Sequence, residues 1–148
     1  MEQPDRTVTG GHRAHDHDSA KRDLTRNERL VHAVLEGADV PLGAYAILDA
    51  VREAGMRSPP QVYRALERLQ QRGLAHRIER LNAFVACRRD ECDGSATIFV
   101  ICESCGSALE FADSDFDAFV SGWMSGNRFP MQLSRCELVG LCVTCQSA

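Results

Sequence analysis

Two Cys-x-x-Cys pairs, Cys102–Cys105 and Cys142–Cys145, constrain this chain more than any other feature. Each pair sets two sulfurs on one tight knuckle. Two such knuckles offer four thiolates, the soft tetrahedral ligand set that Zn²⁺ takes in closed structural sites. The fold must therefore carry the second pair back to the first across 36 intervening residues, a stretch long enough for a helix and a strand. Other uses of the sulfurs fit less well. A dithiol redox centre wants its Cys-x-x-Cys beside a βαβ unit, and the pattern shows none. A disulfide framework belongs to oxidising compartments, and seven cysteines leave one thiol over under any full pairing scheme. The N-terminus is polar, without the apolar core of a signal peptide. No apolar run approaches the roughly 18 residues of a membrane span. A cytoplasmic protein with no membrane association is the expectation.

Residues 1–23 are polar and carry His12, His15 and His17. They read as a disordered tail; loose metal binding by the histidines is the alternative. A capping box, Thr25-x-x-Glu28, then opens a helix with Leu30, Val31, Val34 and Leu35 on one face. A second helix is expected from about Leu42 to Ala54, with Ala44, Ile47, Leu48 and Val51 inward and Gly55 at its end. A third starts at Ser58, with Pro59 and Pro60 in the first turn where a missing N–H costs nothing. It buries Val62, Ala65, Leu66 and Leu69 and stops at Gly73. Strands over Leu74–Arg80 and Ala83–Cys87 follow, joined at Leu81-Asn82. Three helices and a hairpin over 24–87 predict a winged helix-turn-helix.

The polar segment 88–94 reads as a hinge. Beyond it, 95–148 carries strands at 96–101 and 107–111 and a helix capped by Asp113 or Ser114. That helix places Phe116, Phe119, Val120 and Trp123 at i, i+3, i+4 and i+7. Gly126-Asn127 ends it, and a strand over about 131–139 leads to the last cysteines. The class is α+β: a winged helix-turn-helix followed by a small α/β domain with a Cys₄ site. About 55 residues are marginal as an independent unit and need a metal, a partner or both.

The net charge of −4 hides an uneven distribution. Between Arg57 and Asp90 there are eight arginines against three acids; from Asp93 onward there are two against seven. A local basic segment suits phosphate binding, although charge alone also describes an ordinary solvated surface. The third helix carries Gln61, Tyr63, Arg64, Arg68 and Arg72. Its first turns are where a recognition helix meets bases. Arginine reads guanine O6 and N7 with two hydrogen bonds, while Arg68 and Arg72 lie further along, within reach of phosphates. An amphipathic helix with an arginine-rich outer face is the competing reading.

Taken together, Pro59-Pro60-Gln61-Val62-Tyr63-Arg64-Ala65-Leu66, Gly73-Leu74-Ala75-His76-Arg77-Ile78-Glu79, Phe84-Val85-Ala86-Cys87 and the two cysteine pairs resemble the Fur family of metal-dependent repressors. The likeness covers about residues 24–147, and the zinc-uptake branch matches best. The resemblance implies a homodimer binding a double-stranded DNA operator through the winged helix. It implies a structural zinc at Cys102, Cys105, Cys142 and Cys145, and repression of metal-uptake genes when metal is bound. It also implies a regulatory zinc site at the hinge. His76, Cys87 and Glu110 match three of its ligands. Ser95 stands where the family has a histidine, and Cys92 nearby is the candidate replacement. Singly, His76 reads as a wing residue, Cys87 as a small buried hydrophobe and Glu110 as a surface acid. As a set, N, S and O donors from both sides of a hinge suit an adjustable zinc site. Asp49 and Arg52 match positions that form salt bridges between neighbouring dimers; an ordinary surface ion pair is the plainer reading. Cys136 has no place in either site.

Iron- and peroxide-sensing members usually have a His/Asp-rich stretch before the first knuckle, and 88–95 contains no histidine. An iron- or manganese-sensing regulator is therefore the weaker variant. A zinc-ribbon interaction or zinc-delivery module explains the cysteines but not the basic segment. Neither paired acids nor a nucleophile beside a base stands out, and a closed four-thiolate site leaves no position for water. Neither an enzyme nor a small-molecule substrate is expected.

Overall fold

The computed structural model describes residues 21–88, 96–130 and 135–147. The expectations for the tail before residue 21, for Cys92 and Ser95, and for the start of the last strand at 131–134 lie outside the described residues.

Helix α1 (Arg26–Glu36) opens on the expected capping box: the Glu28 amide donates to Thr25 Oγ1 at 3.3 Å, and the Thr25 amide to Glu28 Oε2 at 3.1 Å. Helix α2 spans Ala44–Val51, shorter than the sequence suggests. Residues 52–55 continue as a turn that closes with Met56 N–H on the Val51 carbonyl and Gly55 N–H on that of Arg52. Gly55 has φ of +101°, a conformation a side chain would strain. Helix α3 (Pro59–Gln71) ends the same way, with Gly73 at φ +70° and Leu74 N–H donating to Leu69 at 2.8 Å. Strands β1 (Ala75–Ile78) and β2 (Ala83–Ala86) pair antiparallel, with the turn at 79–82 and Asn82 at φ +46°. Leu42 bridges Phe84, extending the wing by one pair that local pattern did not reveal. Between the helices and the wing lies a closed core around Val31, Ile47, Met56, Leu66, Leu69 and Phe84.

The second domain is a three-stranded sheet in the order β4-β3-β5 with two helices. Strand β3 (Thr97–Cys102) pairs antiparallel with β4 (Ala108–Phe111) and parallel with β5 (Arg135–Gly140). Helix α4 (Ser114–Gly126) connects them, capped by Asp113, whose carboxylate accepts from Phe116 N–H at 2.8 Å. Helix α5 (Val143–Gln146) closes the chain.

Strand parity gives the two faces of this sheet different jobs. One transverse row is Glu110–Phe99–Glu137, and beside it Ala108 partners Ile101. This face meets the wing: Ile78, Phe99 and Ile101 form a small core, with Leu81, Val85 and Ala108 packed on it. The next row, Leu109–Val100–Leu138, points the other way and is exposed. Two of the apolar positions of α4 are also uncovered: Phe119 and Trp123 are 71 % and 56 % exposed, while Phe116 and Val120 are half-buried. Among the described residues no helix is long and apolar enough to cross a membrane.

Candidate metal centres and nucleic-acid interface

Pairing between β3 and β5 assembles the four-cysteine cluster. Cys102, the last residue of β3, stands opposite Gly140, and the Glu103 amide extends that ladder to the Gly140 carbonyl at 2.9 Å. The chain turns through Gly106 (φ +73°), bringing Cys105 back over Cys102. Cys142 precedes α5 and Cys145 lies within it. The four sulfurs fall within 4.8 Å of one another, with Cys105 and Cys142 at 3.9 Å. Tetrahedral Zn–S bonds of about 2.3 Å require sulfurs about 3.8 Å apart, so the cage already has the size of a zinc site.

Titration within the cluster is uneven. The Cys142 backbone amide, helped by those around Cys105 and Ser104, pulls the Cys102 thiol down to about 6. Ser107 lowers Cys105. At Cys145 the Ser104 hydroxyl works downward, but Cys142, Cys102 and Cys105 outweigh it and push the thiol up to about 12. Four adjacent sulfurs resist ionising together. A divalent cation removes that conflict, which makes the donor set a good fit to Zn²⁺.

The second cluster sits where the domains meet. His76 comes from β1, Cys87 follows β2, and Glu110 comes from β4. Glu110 reaches the wing because it shares its row with Phe99, whereas Leu109 and Phe111 fall on the opposite face. Its Oε1 lies 3.4 Å from His76 Nε2 and 3.9 Å from Cys87 Sγ, while its Oε2 accepts from the Arg88 amide at 3.3 Å. The His76 ring packs edge-on against Phe99 with centroids 5.7 Å apart. Burial works to lower the His76 pKa, but Cys87 and Glu110 outweigh it and raise it to about 9. Even so, His76 Nε2 is buried and makes no well-formed hydrogen bond among the described residues. A buried ring nitrogen facing a thiol and a carboxylate, with all three donor atoms within 4.8 Å, fits a metal ion.

The outer face of α3 exposes Tyr63, Arg64 and Arg68, with Arg72 half-buried at its end. Gln61 differs from the rest of the expected set. Its Oε1 turns back to accept from the amides of Arg57 and Ser58 at 3.0 and 3.2 Å, so it serves the helix cap. Asp49 of α2 and Arg52 just beyond its end form an exposed ion pair at 3.0 Å. Cys136 is a half-buried free thiol that belongs to neither cluster.

An arginine-faced winged helix, a thiol cage and a mixed donor set at the junction together define a metal-dependent regulator. No family model matches the chain. It is 31% identical over 123 residues to the zinc uptake regulation protein of Escherichia coli (strain K12), covering 82% of this chain and 72% of that protein. The protein of that description from Mycobacterium tuberculosis (strain ATCC 25618 / H37Rv) is 26% identical, covering 83% and 94%. Among solved structures, holo XcZur shares 38% identity at a TM-score of 0.76, covering 84% of this chain and 87% of that one. A zinc uptake regulator complexed with zinc and DNA shares 28% identity at a TM-score of 0.80, covering 88% and 89%. This chain belongs to the zinc uptake regulators of the Fur family.

Proposed function

We propose that this protein is a zinc-responsive, DNA-binding repressor of zinc-uptake genes, working as a homodimer in the cytoplasm. Its role is regulatory rather than catalytic. Cys102, Cys105, Cys142 and Cys145 hold a structural zinc. His76, Cys87 and Glu110 hold a regulatory one, with Cys92 as the proposed further donor. Tyr63 and Arg64 face bases, and Arg68 and Arg72 face phosphates. The uncovered row Leu109–Val100–Leu138 and the apolar side of α4 supply the surface for the second copy.

The observation that carries this reading is the origin of the hinge donors. Two come from the reading domain and one from the metal domain, yet they converge within 4.8 Å. An ion bound there fixes the reading head relative to the rest of the dimer, which is how metal occupancy becomes DNA affinity. A sulfur and an imidazole beside one carboxylate favour zinc over the harder Mn²⁺. The test is zinc content and DNA binding of Cys87→Ser beside the parent, using duplexes selected by the parent from a random pool. The variant should keep its structural zinc and its dimer and lose zinc-dependent binding. An unchanged zinc dose response in Cys87→Ser overturns the regulatory site.

A further inference from the structure

The wing is tied to the metal domain at a second place that contains no metal donor. On β5, Arg135 and Glu137 alternate onto the face that meets the wing. Glu137 Oε1 accepts from the Glu79 amide at 2.7 Å, and its Oε2 from the Arg80 amide at 3.0 Å. Arg135 Nη1 donates to the Arg77 carbonyl at 2.8 Å. Two side chains of one strand thereby take up three backbone groups at the end of the hairpin, without using any side chain of the wing.

The position of this clasp gives it a consequence. Glu110, Phe99 and Glu137 form one transverse row across β4, β3 and β5. One edge of the row carries a donor of the hinge cluster. The middle touches the His76 ring. The other edge grips the hairpin tip. Adjacent strands sit about 4.8 Å apart, so the row acts as a short rigid ruler. With the tip held at Glu137, His76 is delivered to Glu110 at 3.4 Å. If the tip were free, the hairpin would be held only at its base, where Glu110 accepts from the Arg88 amide, and by its apolar underside, whose contacts are not directional.

We infer that Glu137 is a positioning residue that preorganises the regulatory zinc site by clamping the amides of Glu79 and Arg80. This rests on the reading of His76, Cys87 and Glu110 given above. When only a fraction of molecules has a binding-competent arrangement, the apparent dissociation constant rises by the inverse of that fraction. The clasp keeps the fraction near one. Its loss lowers zinc affinity at a site it never touches, and by linkage weakens zinc-dependent DNA binding.

The experiment uses the full-length dimer with its structural zinc retained, comparing the parent with Glu137→Ala and Glu137→Gln. Zn²⁺ is titrated into the regulatory site against a competing chelator. Amide exchange at Glu79 and Arg80 is followed before zinc is added. Replacing a charged acceptor of two hydrogen bonds by alanine should weaken zinc binding roughly tenfold. Glutamine, which keeps one acceptor oxygen, should fall between alanine and the parent. Both amides should exchange faster in the alanine variant, with structural zinc content unchanged. A parent that takes up a second zinc beside a Glu137→Ala protein with the same titration curve overturns the clasp alone. A parent that takes up no second zinc overturns the reading on which it rests.

Discussion

In the winged domain Val31, Ile47, Val62 and Leu69 are completely buried by neighbours from the same domain. In the metal domain every buried residue among those described lies between Ala96 and Cys102, on or beside a single strand, and α4 buries none. The first domain has a core of its own. The second has one well-covered strand, a wing leaning on one face and an apolar surface still open on the other. Its order must come from outside the local hydrophobic effect, through the metal and the second copy.

Removing the structural metal should expose that difference most strongly. Structural zinc in small domains contributes on the order of 10 kcal/mol, more than so thin a core can replace. Cys145→Ser should lose the tightly held zinc and the dimer together, while the circular dichroism of α1 to α3 persists. Metal analysis and sedimentation check this. A dimeric, zinc-free Cys145→Ser protein would erase the contrast between the domains.

Truncating a large apolar side chain should then give opposite outcomes in the two halves. Leu66→Ala removes a fully buried side chain from the closed core and should cost about 2–5 kcal/mol of folding stability. Trp123→Ala removes a side chain that is 56 % exposed in one copy. It should spare the melting of the winged domain and weaken dimerisation by about 2 kcal/mol or more, as aromatic anchors of interfaces do. Concentration-dependent sedimentation separates the two effects. A Trp123→Ala protein that dimerises as tightly as the parent would leave the open face of α4 without a role.

What was legible in the chain was whatever is written within a few residues. Thr25 with Glu28, Ser58 followed by two prolines, Gly55 and Gly73 beyond their helices, and the knuckle pairs all act over one turn. The helices, the hairpin and the cysteine cluster follow from them. The triad His76, Cys87 and Glu110 spans both domains, and resemblance rather than pattern brought its members together. Less visible still was what depends on pairing partners far away in sequence. Leu42 meets Phe84 only after the helices pack. Gln61 stands with the DNA-contact candidates by its place on the helix, whereas its oxygen accepts from the cap amides of Arg57 and Ser58. Arg135 and Glu137 carried a faint signal, alternating charges in a strand, but nothing local tells which face they occupy or that wing amides wait there. The exposure of Phe119 and Trp123 was equally hidden, since an apolar helix stripe looks the same whether its cover is its own sheet or another copy.

Proton competition should divide the two metal sites by a smaller margin. In the metal-free hinge, Cys87 and Glu110 overcome the effect of burial and raise His76 to about 9, above its unfolded value of about 6.5. The imidazolium therefore steadies the metal-free junction fully below pH of about 6.5, and that help fades as pH rises through about 9. Zinc binding has the opposite slope. With zinc held there as proposed, the ring nitrogen must give up its proton before it can coordinate, so below about 9 each zinc would release a proton from His76. Apparent affinity at the hinge should climb with pH across the neutral range and lose its His76 component above about 9. At the four-cysteine site Cys102 is already down to about 6 and needs no further deprotonation near neutrality, whereas Cys145, pushed up to about 12, must give up its proton when the metal binds. Competitive zinc titrations at pH 6.5, 7.5 and 8.5, read as apparent affinity for each site, would test the contrast. In His76→Gln, which has no imidazole proton to lose, the hinge should bind zinc more weakly, with a pH slope shallower by about one proton. A parent hinge site whose zinc affinity is flat over that range would mean that His76 is not a ligand.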